Sequence, residues 1–314
     1  MSRTAKEIDD PTLALQRKTL AIQIAAHAPA AGENRTAIPG LSLYRRTAPT
    51  PCYRGFYEPS LNVFTQGRKS INLGGKPYLC DESSFLLSSI DVPVESQIVE
   101  ASEDVPLLSL LLRLEMPIVR ELLTGEELPQ LESPSGAVGL SVGKTTVGLL
   151  EVCCRLIRLL DTPSDIPFLS RLIHREIVYR ILLTPQGERL RAIATTSDVS
   201  HKTARAITWL RDNYAKPLHI EELADTARMA VSTLHHQFRA LTSMSPLQYQ
   251  KQLRLQAARE RMLMDGLDAT SAAYEVGYES VSQFNREYSR FFGQPPLRDV
   301  KALRENKVVA INAA

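Results

Sequence analysis

Two stretches of the chain decide its fold, IEELADTARMAVSTLHHQFRAL (Ile220–Leu241) and ATSAAYEVGYESVSQFNREYSRFFG (Ala269–Gly293). Each contains a short helical pattern, a tight break and a second helical pattern. Leu234 of the first stretch corresponds to Phe284 of the second, so one structural element occurs twice. A duplicated helix-turn-helix is typical of a protein that places two helices in double-stranded DNA.

The second helix of the first stretch has one apolar face and one polar face. Leu234, Phe238 and Leu241 recur at the spacing of a buried stripe. Side chains opposite that stripe point away from the core, where residues that enter a DNA groove must lie. The candidate DNA-binding residues here are Ser232, His235, His236 and Arg239.

The second stretch carries stronger local signals than the first. Gly277 lies at the turn, where a left-handed backbone favours glycine. Ser280 and Gln283 have the spacing of a capping box, and Phe284 and Tyr288 point inward. Gln and Asn can pair with adenine, and Arg with guanine. The candidate DNA-binding residues of this copy are Ser282, Gln283, Asn285, Arg286 and Arg290.

Residues 245–264 predict one unbroken helix between the two copies, with its inward face formed by Leu247, Leu253, Ala257 and Met262. Such a helix would hold two reading heads about 34 Å apart, the distance between successive major grooves. Lys251 and Arg254 lie along it, and we expect them to contact phosphates.

The N-terminal half has a different pattern. Between residues 37 and 115, short β-type runs alternate with Gly, Pro, Asn and Asp, and Gly74-Gly75 is typical of a hairpin turn. Residues 92–101 alternate apolar and polar side chains, which predicts a half-buried strand. Two apolar helical segments follow at 145–160 and 164–183 and could cover the β domain or pair between subunits. These patterns favour an α+β protein of two domains.

Composition limits the function only loosely. The net charge of +2 is weak evidence for nucleic acid, so the argument rests on where basic residues lie. The N-terminus predicts no signal peptide and no apolar run approaches the length of a membrane span. The four cysteines, Cys52, Cys80, Cys153 and Cys154, lack metal-type spacing. We therefore expect a cytoplasmic protein with reduced thiols.

The C-terminal third resembles the DNA-binding domain of the AraC/XylS family of transcription regulators. The resemblance rests on PLHIEELA, FRALTSMSPLQY (238–249), RLQAAR (254–259), EVGYESVSQFNR (275–286) and FFGQPP (291–296). YEPSLNVFTQGRK (57–69) and DVPV (91–94) resemble the cupin-like regulatory domain of one branch of that family. One departure is Ala230-Val231 at the start of the first reading helix, where the family usually has Ser-Pro; the side-chain cap is lost there.

The resemblance implies an N-terminal cupin-like β-barrel with flanking helices and an all-α C-terminal domain of seven helices. We divide the chain into an N-terminal helix with an extension (1–36), a regulatory domain with a helical hairpin (37–184), a linker (185–200) and a double helix-turn-helix domain (201–314). The expected partners are promoter DNA, a small-molecule effector held in the barrel, a second copy in a homodimer, and RNA polymerase. We expect no membrane partner and no cofactor.

Two alternatives stay open. The chain could be an enzyme, such as a repair protein with an accessory DNA-binding domain, in which Cys52 or Cys80 reacts. It could also bind DNA without any effector. None of the six histidines falls within residues 37–115, which argues against a metal enzyme there, and no phosphate-loop, dinucleotide or nucleophile-elbow motif is present. We therefore predict no enzymatic activity and no metal site.

Overall fold

The alternating runs of the N-terminal half form ten strands in the part of the chain that the computed structural model describes, residues 10–125, 139–195 and 198–312. The strands are β1 (Gly32–Arg35), β2 (Leu41–Arg46), β3 (Tyr53–Tyr57), β4 (Ser60–Gln66), β5 (Arg68–Leu73), β6 (Lys76–Cys80), β7 (Ser84–Ser88), β8 (Val92–Glu100), β9 (Leu107–Arg113) and β10 (Leu140–Lys144). The Gly74-Gly75 hairpin is confirmed, and both glycines adopt positive φ.

The strands pair antiparallel in two sheets. The larger has the order β1-β2-β9-β4-β7-β10 and the smaller β3-β8-β5-β6. Among the described strands no ladder joins one sheet to the other, so the predicted cupin-like barrel takes the form of two facing sheets that do not close. Strand β1 lies inside residues 1–36, the segment expected to be a helix with a loose connection, and it pairs with β2.

Helices pack outside the larger sheet. They are α1 (Pro11–His27), α2 (Met116–Gly125), α3 (Val147–Arg158), α4 (Ile166–Leu182) and α5 (Gly187–Ala194). Alternation along β4 turns Leu61 and Val63 toward α1 and α3, where they join one apolar core. The segment expected to be a linker contains α5, which packs against the first helix of the C-terminal domain.

The C-terminal domain consists of the seven expected helices within the described residues. They are α6 (Val199–Asp212), α7 (Ile220–Ala227), α8 (Val231–Thr242), α9 (Pro246–Glu260), α10 (Ala269–Glu275), α11 (Val281–Phe292) and α12 (Pro296–Asn312). A π-helical turn, Arg261–Asp265, continues α9, so residues 245–264 are helical over the predicted length. Leu247, however, is exposed, so its predicted inward position is wrong. In the described helices, none combines the length and apolar character that a bilayer span requires.

The two helix-turn-helix units have different cores. The first unit consists of α6 to α8 with the start of α9. Its buried side chains, such as Phe238 and Tyr249, form one apolar cluster with side chains of the β sheets, such as Phe64 and Val94. The second unit, the end of α9 with α10 to α12, has a separate cluster around Phe284 and Tyr288. The regulatory domain is thus fused by packing to one reading unit and not to the other.

Candidate nucleic-acid interface

The first reading helix, α8, presents its polar face to solvent. Leu234 and Phe238 are fully buried, and they anchor the helix against α6 and α9. The four predicted residues of this face, Ser232, His235, His236 and Arg239, are all exposed. Arg239 makes no ion pair with any described residue. The face is open to a groove.

The second reading helix, α11, repeats the burial pattern of α8 over its first eight residues. Phe284 and Tyr288 are buried, and the predicted residues Ser282, Gln283, Asn285, Arg286 and Arg290 are exposed. Gln283 donates to Glu287 at 3.3 Å. Neither Arg286 nor Arg290 has a carboxylate partner among the described residues, so both cations are available to an anionic polymer.

The turns and caps of the two units differ as the sequence indicates. Gly277 has φ +88°, whereas the first turn forces the non-glycine Arg228 to φ 54°. Ala230 provides no side-chain cap to α8. The Ser280 hydroxyl accepts from the Gln283 amide at 3.3 Å, but the Gln283 side chain bonds to Glu287, so only half of the predicted capping box forms.

The two cations predicted on the connecting helix lie in different surroundings. Lys251 is exposed and forms an ion pair with Glu287 at 2.9 Å. Arg254 is half-buried and donates to the carbonyls of Tyr214 at 2.7 Å, Gly277 at 2.8 Å and Lys216 at 2.8 Å. Arg254 therefore braces the second turn against the loop after α6. This role was not expected from the sequence, and its contact with phosphate stays a prediction.

Arg259 on the same helix is buried and acts inside the domain. It makes two hydrogen bonds of 2.8 Å to Asp299, and the Tyr288 hydroxyl donates to the same carboxylate at 2.7 Å. The guanidinium also lies over the Phe292 ring, 4.2 Å from its centroid. This network ties α9, α11 and α12 together and fixes the second reading helix within its unit.

Behind the reading helices, a cavity of about 1230 Å³ lies between the regulatory and DNA-binding domains. One wall is the inner face of the larger sheet, where Ser60, Asn62 and Ser109 alternate with the apolar residues that face the helices. The opposite wall includes the end of α11 and its cap, residues 290–293. The sequence predicted a pocket inside the β domain, but no pattern in it indicated that the second reading unit would form part of the wall.

The cavity has more positive than negative charge. Eight basic side chains and five carboxylates line it. The carboxylates are engaged: Glu58 pairs with Arg113 at 3.1 Å, for example. Three of the cations have no carboxylate within ion-pairing distance among the described residues. These are Arg46, Lys69 and Arg290.

Three polar atoms on the cavity wall lack a partner within the described protein. They are Oδ1 of Asn62, which is 6% exposed, the hydroxyl of Tyr57 and Oε1 of Gln256. A buried polar atom without a hydrogen bond is costly, so such atoms on a cavity wall favour a polar occupant. Together with the unpaired cations, they favour an occupant with a negatively charged polar group.

An ion pair between a buried carboxylate and a partly exposed guanidinium joins the domains beside this cavity. Arg211 of α6 donates to both oxygens of Asp91, at 3.2 and 3.1 Å, and the Tyr249 hydroxyl donates to the Asp91 carbonyl at 2.9 Å. Tyr249 also packs edge-on against Phe56, with ring centroids 5.4 Å apart. Burial raises the pKa of Asp91, and the Arg211 charge offsets this only in part.

The described residues contain no cluster of three possible metal ligands. All four cysteines are free, and only Cys52 is exposed. Burial raises the pKa of Cys80 to about 12 and that of Cys154 to about 11, and it also raises the pKa of Cys52. These thiols therefore stay protonated near neutral pH, which disfavours their use as nucleophiles.

Comparison with known proteins agrees with this architecture. Residues 37–189 match the model of the AraC-type transcriptional regulator N-terminus, and residues 223–301 match that of a helix-turn-helix domain. The transcriptional activator RhaS of Yersinia pestis (strain Pestoides F) is 27% identical over 155 residues, 49% of this chain and 55% of RhaS. RhaS of Salmonella paratyphi B is 27% identical over 158 residues, 50% of this chain and 56% of that protein. The chain thus spans about half the length of the curated relatives it matches.

Among solved structures, ToxT of Vibrio cholerae with a bound unsaturated fatty acid has the same two-domain fold. The TM-score is 0.55 at 12% identity, and the match covers 83% of this chain and 94% of ToxT. ToxT of Vibrio cholerae O395 gives a TM-score of 0.52 at 12% identity over 83% of this chain and 96% of that one. The two domain models, matched in the expected order on this fold, show that the chain belongs to the AraC/XylS family of transcription regulators, with an AraC-type N-terminal regulatory domain.

Proposed function

We propose that the chain is a sequence-specific DNA-binding transcription regulator, and that a small-molecule effector in the interdomain cavity controls it. The observation that carries the proposal is the repeated reading face: α8 and α11 bury equivalent residues and expose equivalent polar ones. Two such helices on one rigid connector suit successive major grooves of one duplex. Unpaired Arg239 and Arg286 supply one cation to each face.

DNA-site selection with the purified full-length chain tests this function. The full chain is required because the first reading unit shares its core with the regulatory domain, and truncation would expose that core. We expect one preferred sequence with two half-sites about one helical turn apart. Selection that returns no preferred sequence would overturn the proposal.

Arg286→Ala sharpens the same experiment. If Arg286 reads a guanine, its removal costs about 1–3 kcal/mol at one base position and relaxes the preference there. Arg171→Ala on α4 is the matched control, because Arg171 is equally exposed and unpaired among the described residues but lies in the regulatory domain. An unchanged base preference in Arg286→Ala would remove this residue from the reading set.

The proposed effector is a small anion with an apolar body. The unpaired cations of the cavity supply the charge argument, and the aromatic and leucine side chains among its lining supply the apolar one. ToxT, which shares the fold, was crystallised with an unsaturated fatty acid. Oleate and its uncharged methyl ester are therefore a matched pair of probes. We expect oleate to stabilise the protein thermally and the ester not to, and we expect Arg46→Gln to weaken the oleate effect.

We also propose a homodimer. On α4, Phe168 is 73% exposed and Leu172 is 51% exposed, one helical turn apart. Apolar side chains of this size on one face of a surface helix suit contact with a second copy. Light scattering of Leu172→Glu beside the wild type tests this proposal, and equal masses would contradict it. An additional contact with RNA polymerase remains a prediction to which no described surface is assigned.

The enzyme alternative has less support. Both matched models describe regulator or DNA-binding domains, and the thiols that a repair reaction would need have raised pKa values. Incubation with alkylated DNA followed by mass spectrometry would settle the matter, because transfer to a thiol adds a fixed mass. Footprints unchanged by every anion tested would instead favour a binder without an effector.

A further inference from the structure

The regulatory domain reaches the two reading helices in different ways. It shares a continuous apolar core with the first unit, whereas the second unit has its own core. A shared core is costly to separate because apolar area must be exposed. Polar contacts at a surface can be exchanged for contacts with water or with a ligand at much lower cost. The second unit is therefore the one that the regulatory domain could reposition.

Neither reading face is covered by the regulatory domain. Every predicted base-facing residue of α8 and α11 is exposed while the two domains are packed together. Control by simple occlusion of these faces is therefore excluded for this arrangement. What the regulatory domain contacts is the C-terminal end of each helix. Control must then act through the position of the helices.

At the first helix, the contact is made by backbone. The Gly139 amide donates to the Leu241 carbonyl at 2.9 Å. The hairpin turn at Gly74 lies so close to Ser243, the C-cap of α8, that a Cβ on Gly74 would come within 2.1 Å of the Ser243 Cβ. Together with the shared core, this fit fixes α8 to the regulatory domain.

At the second helix, the contact comes from the side chain of Arg54 on β3, while the neighbouring Tyr53 hydroxyl accepts from Gln256 of α9 at 3.3 Å. The Arg54 guanidinium donates to the Phe291 carbonyl in the last turn of α11 and lies 5.3 Å from the centroid of the Phe291 ring. Glu95 on β8 orients it through bonds of 2.6 and 2.7 Å. A cation is favoured at this place because the last carbonyls of a helix are unsatisfied and carry partial negative charge.

We propose that Arg54 is a positioning residue that couples the interdomain cavity to the second reading helix. Arg54 and Phe291 both line that cavity. A full negative charge binds a guanidinium more strongly than a carbonyl does. An anion that enters the cavity would therefore compete with Phe291 for Arg54 and release the end of α11. The inference rests on the proposed function for its effect on DNA, but not for its effect on the helix.

Arg54→Gln tests the proposal, with Arg68→Gln as the matched control. Arg68 lies on the same sheet, is 38% exposed against 37% for Arg54, and forms an equivalent 2.6 Å pair with Glu100. It has no contact with α11. The first measurement is hydrogen exchange of the full-length protein without DNA. In Arg54→Gln we expect the amides at 289–293 to exchange about tenfold faster, while those at the end of α8 stay at the wild-type rate.

The second measurement is a footprint on the selected site. Arg54→Gln should lower affinity about fivefold or more, with protection lost over the half-site of α11 and kept over that of α8. A merely structural role of Arg54 in its sheet would weaken both halves together. Exchange rates in Arg54→Gln equal to those of Arg68→Gln would overturn the proposal. If the wild type selects no DNA sequence, the proposed function fails, and the exchange comparison still decides the role of Arg54.

Discussion

At the scale of single residues, the turns of the two helix-turn-helix units need the same left-handed backbone but use different residue types to form it. Both need a left-handed residue between their helices, and the first places Arg228 there at the cost of side-chain strain. The second uses Gly277, where a Cβ would lie 2.0 Å from the Ala215 carbonyl oxygen. The glycine is thus required by conformation and by space, and the sequence showed only the first of these reasons.

Gly277→Ala is expected to destabilise the chain by about 3 kcal/mol, because backbone strain adds to a clash with a carbonyl that has little room to move. Gly266→Ala is the control: Gly266 has φ +73°, but a Cβ added to it would meet nothing within 4 Å. We expect this control substitution to cost about 1 kcal/mol. Urea midpoints measured by circular dichroism compare the two, and equal losses would show that the clash at Ala215 does not matter.

Arg254 and Lys251 form a second pair for comparison at this scale. Arg254 donates to three carbonyls within 2.8 Å, so Arg254→Gln should lower stability by about 2 kcal/mol. If Arg254 also contacts phosphate, as predicted, the same substitution should flatten the salt slope of DNA binding by about one unit. Lys251 is exposed, so Lys251→Gln should leave stability nearly unchanged and flatten the salt slope by about one unit. An unchanged salt slope in Arg254→Gln would contradict its predicted contact with phosphate.

At the scale of elements, the sequence predicted the helix-turn-helix units well because their signals are local. Helical spacing, the glycine turn and the missing cap at Ala230 each depend on residues close in sequence. Predictions that needed partners far along the chain were poorer. Leu247 fits the helical spacing of a buried stripe but faces solvent. Whether the two sheets close into a barrel depends on hydrogen bonding between strands that are distant in sequence, which a short sequence pattern does not predict. A full capping box formed instead at Ser245 and Gln248, where none was predicted.

Substitutions at the N-cap positions of the two reading helices can add the missing side-chain cap of α8 and remove that of α11. Ala230 has the extended backbone of an N-cap, φ −66° and ψ 147°, close to that of the capping residue Ser245. Ala230→Ser should therefore cap α8 and raise stability by about 0.5–1 kcal/mol, whereas Ser280→Ala should lower it by about 1 kcal/mol. Thermal unfolding checks both signs. A loss in Ala230→Ser would mean that the hydroxyl finds no amide at the start of α8.

At the scale of the whole molecule, the cavity and the domain contacts could not be predicted. In the sequence, Asp91 stands out only as part of the DVPV motif and Arg54 does not stand out, because their partners lie 120 and 237 residues away. The reading faces needed only helical periodicity. The contacts of Asp91 and Arg54 that position the reading helices depend on how the two domains pack. That packing is set by the shape of the shared core rather than by a local sequence pattern.

The Asp91–Arg211 pair gives this packing a pH dependence with a definite sign. Burial raises the pKa of Asp91 in the folded state, so the folded protein holds that proton more tightly and gains stability as the pH falls through this raised pKa. Arg211→Gln removes the compensating charge. Since Arg211 is 44% exposed, we expect a moderate loss of about 1–2 kcal/mol at pH 7, which shrinks as the pH falls through the raised pKa of Asp91 because that carboxyl becomes protonated.

The Asp91→Asn background isolates this interaction. Asparagine carries no charge to compensate, and the backbone carbonyl that accepts from Tyr249 is retained. In that background Arg211→Gln should cost less than about 0.5 kcal/mol and show no change between pH 5 and 7, which a double-mutant cycle of urea midpoints measures. A loss of the same size in both backgrounds would mean that Arg211 acts through packing. The Asp91 carboxylate would then play no part in holding the first reading unit to the regulatory domain.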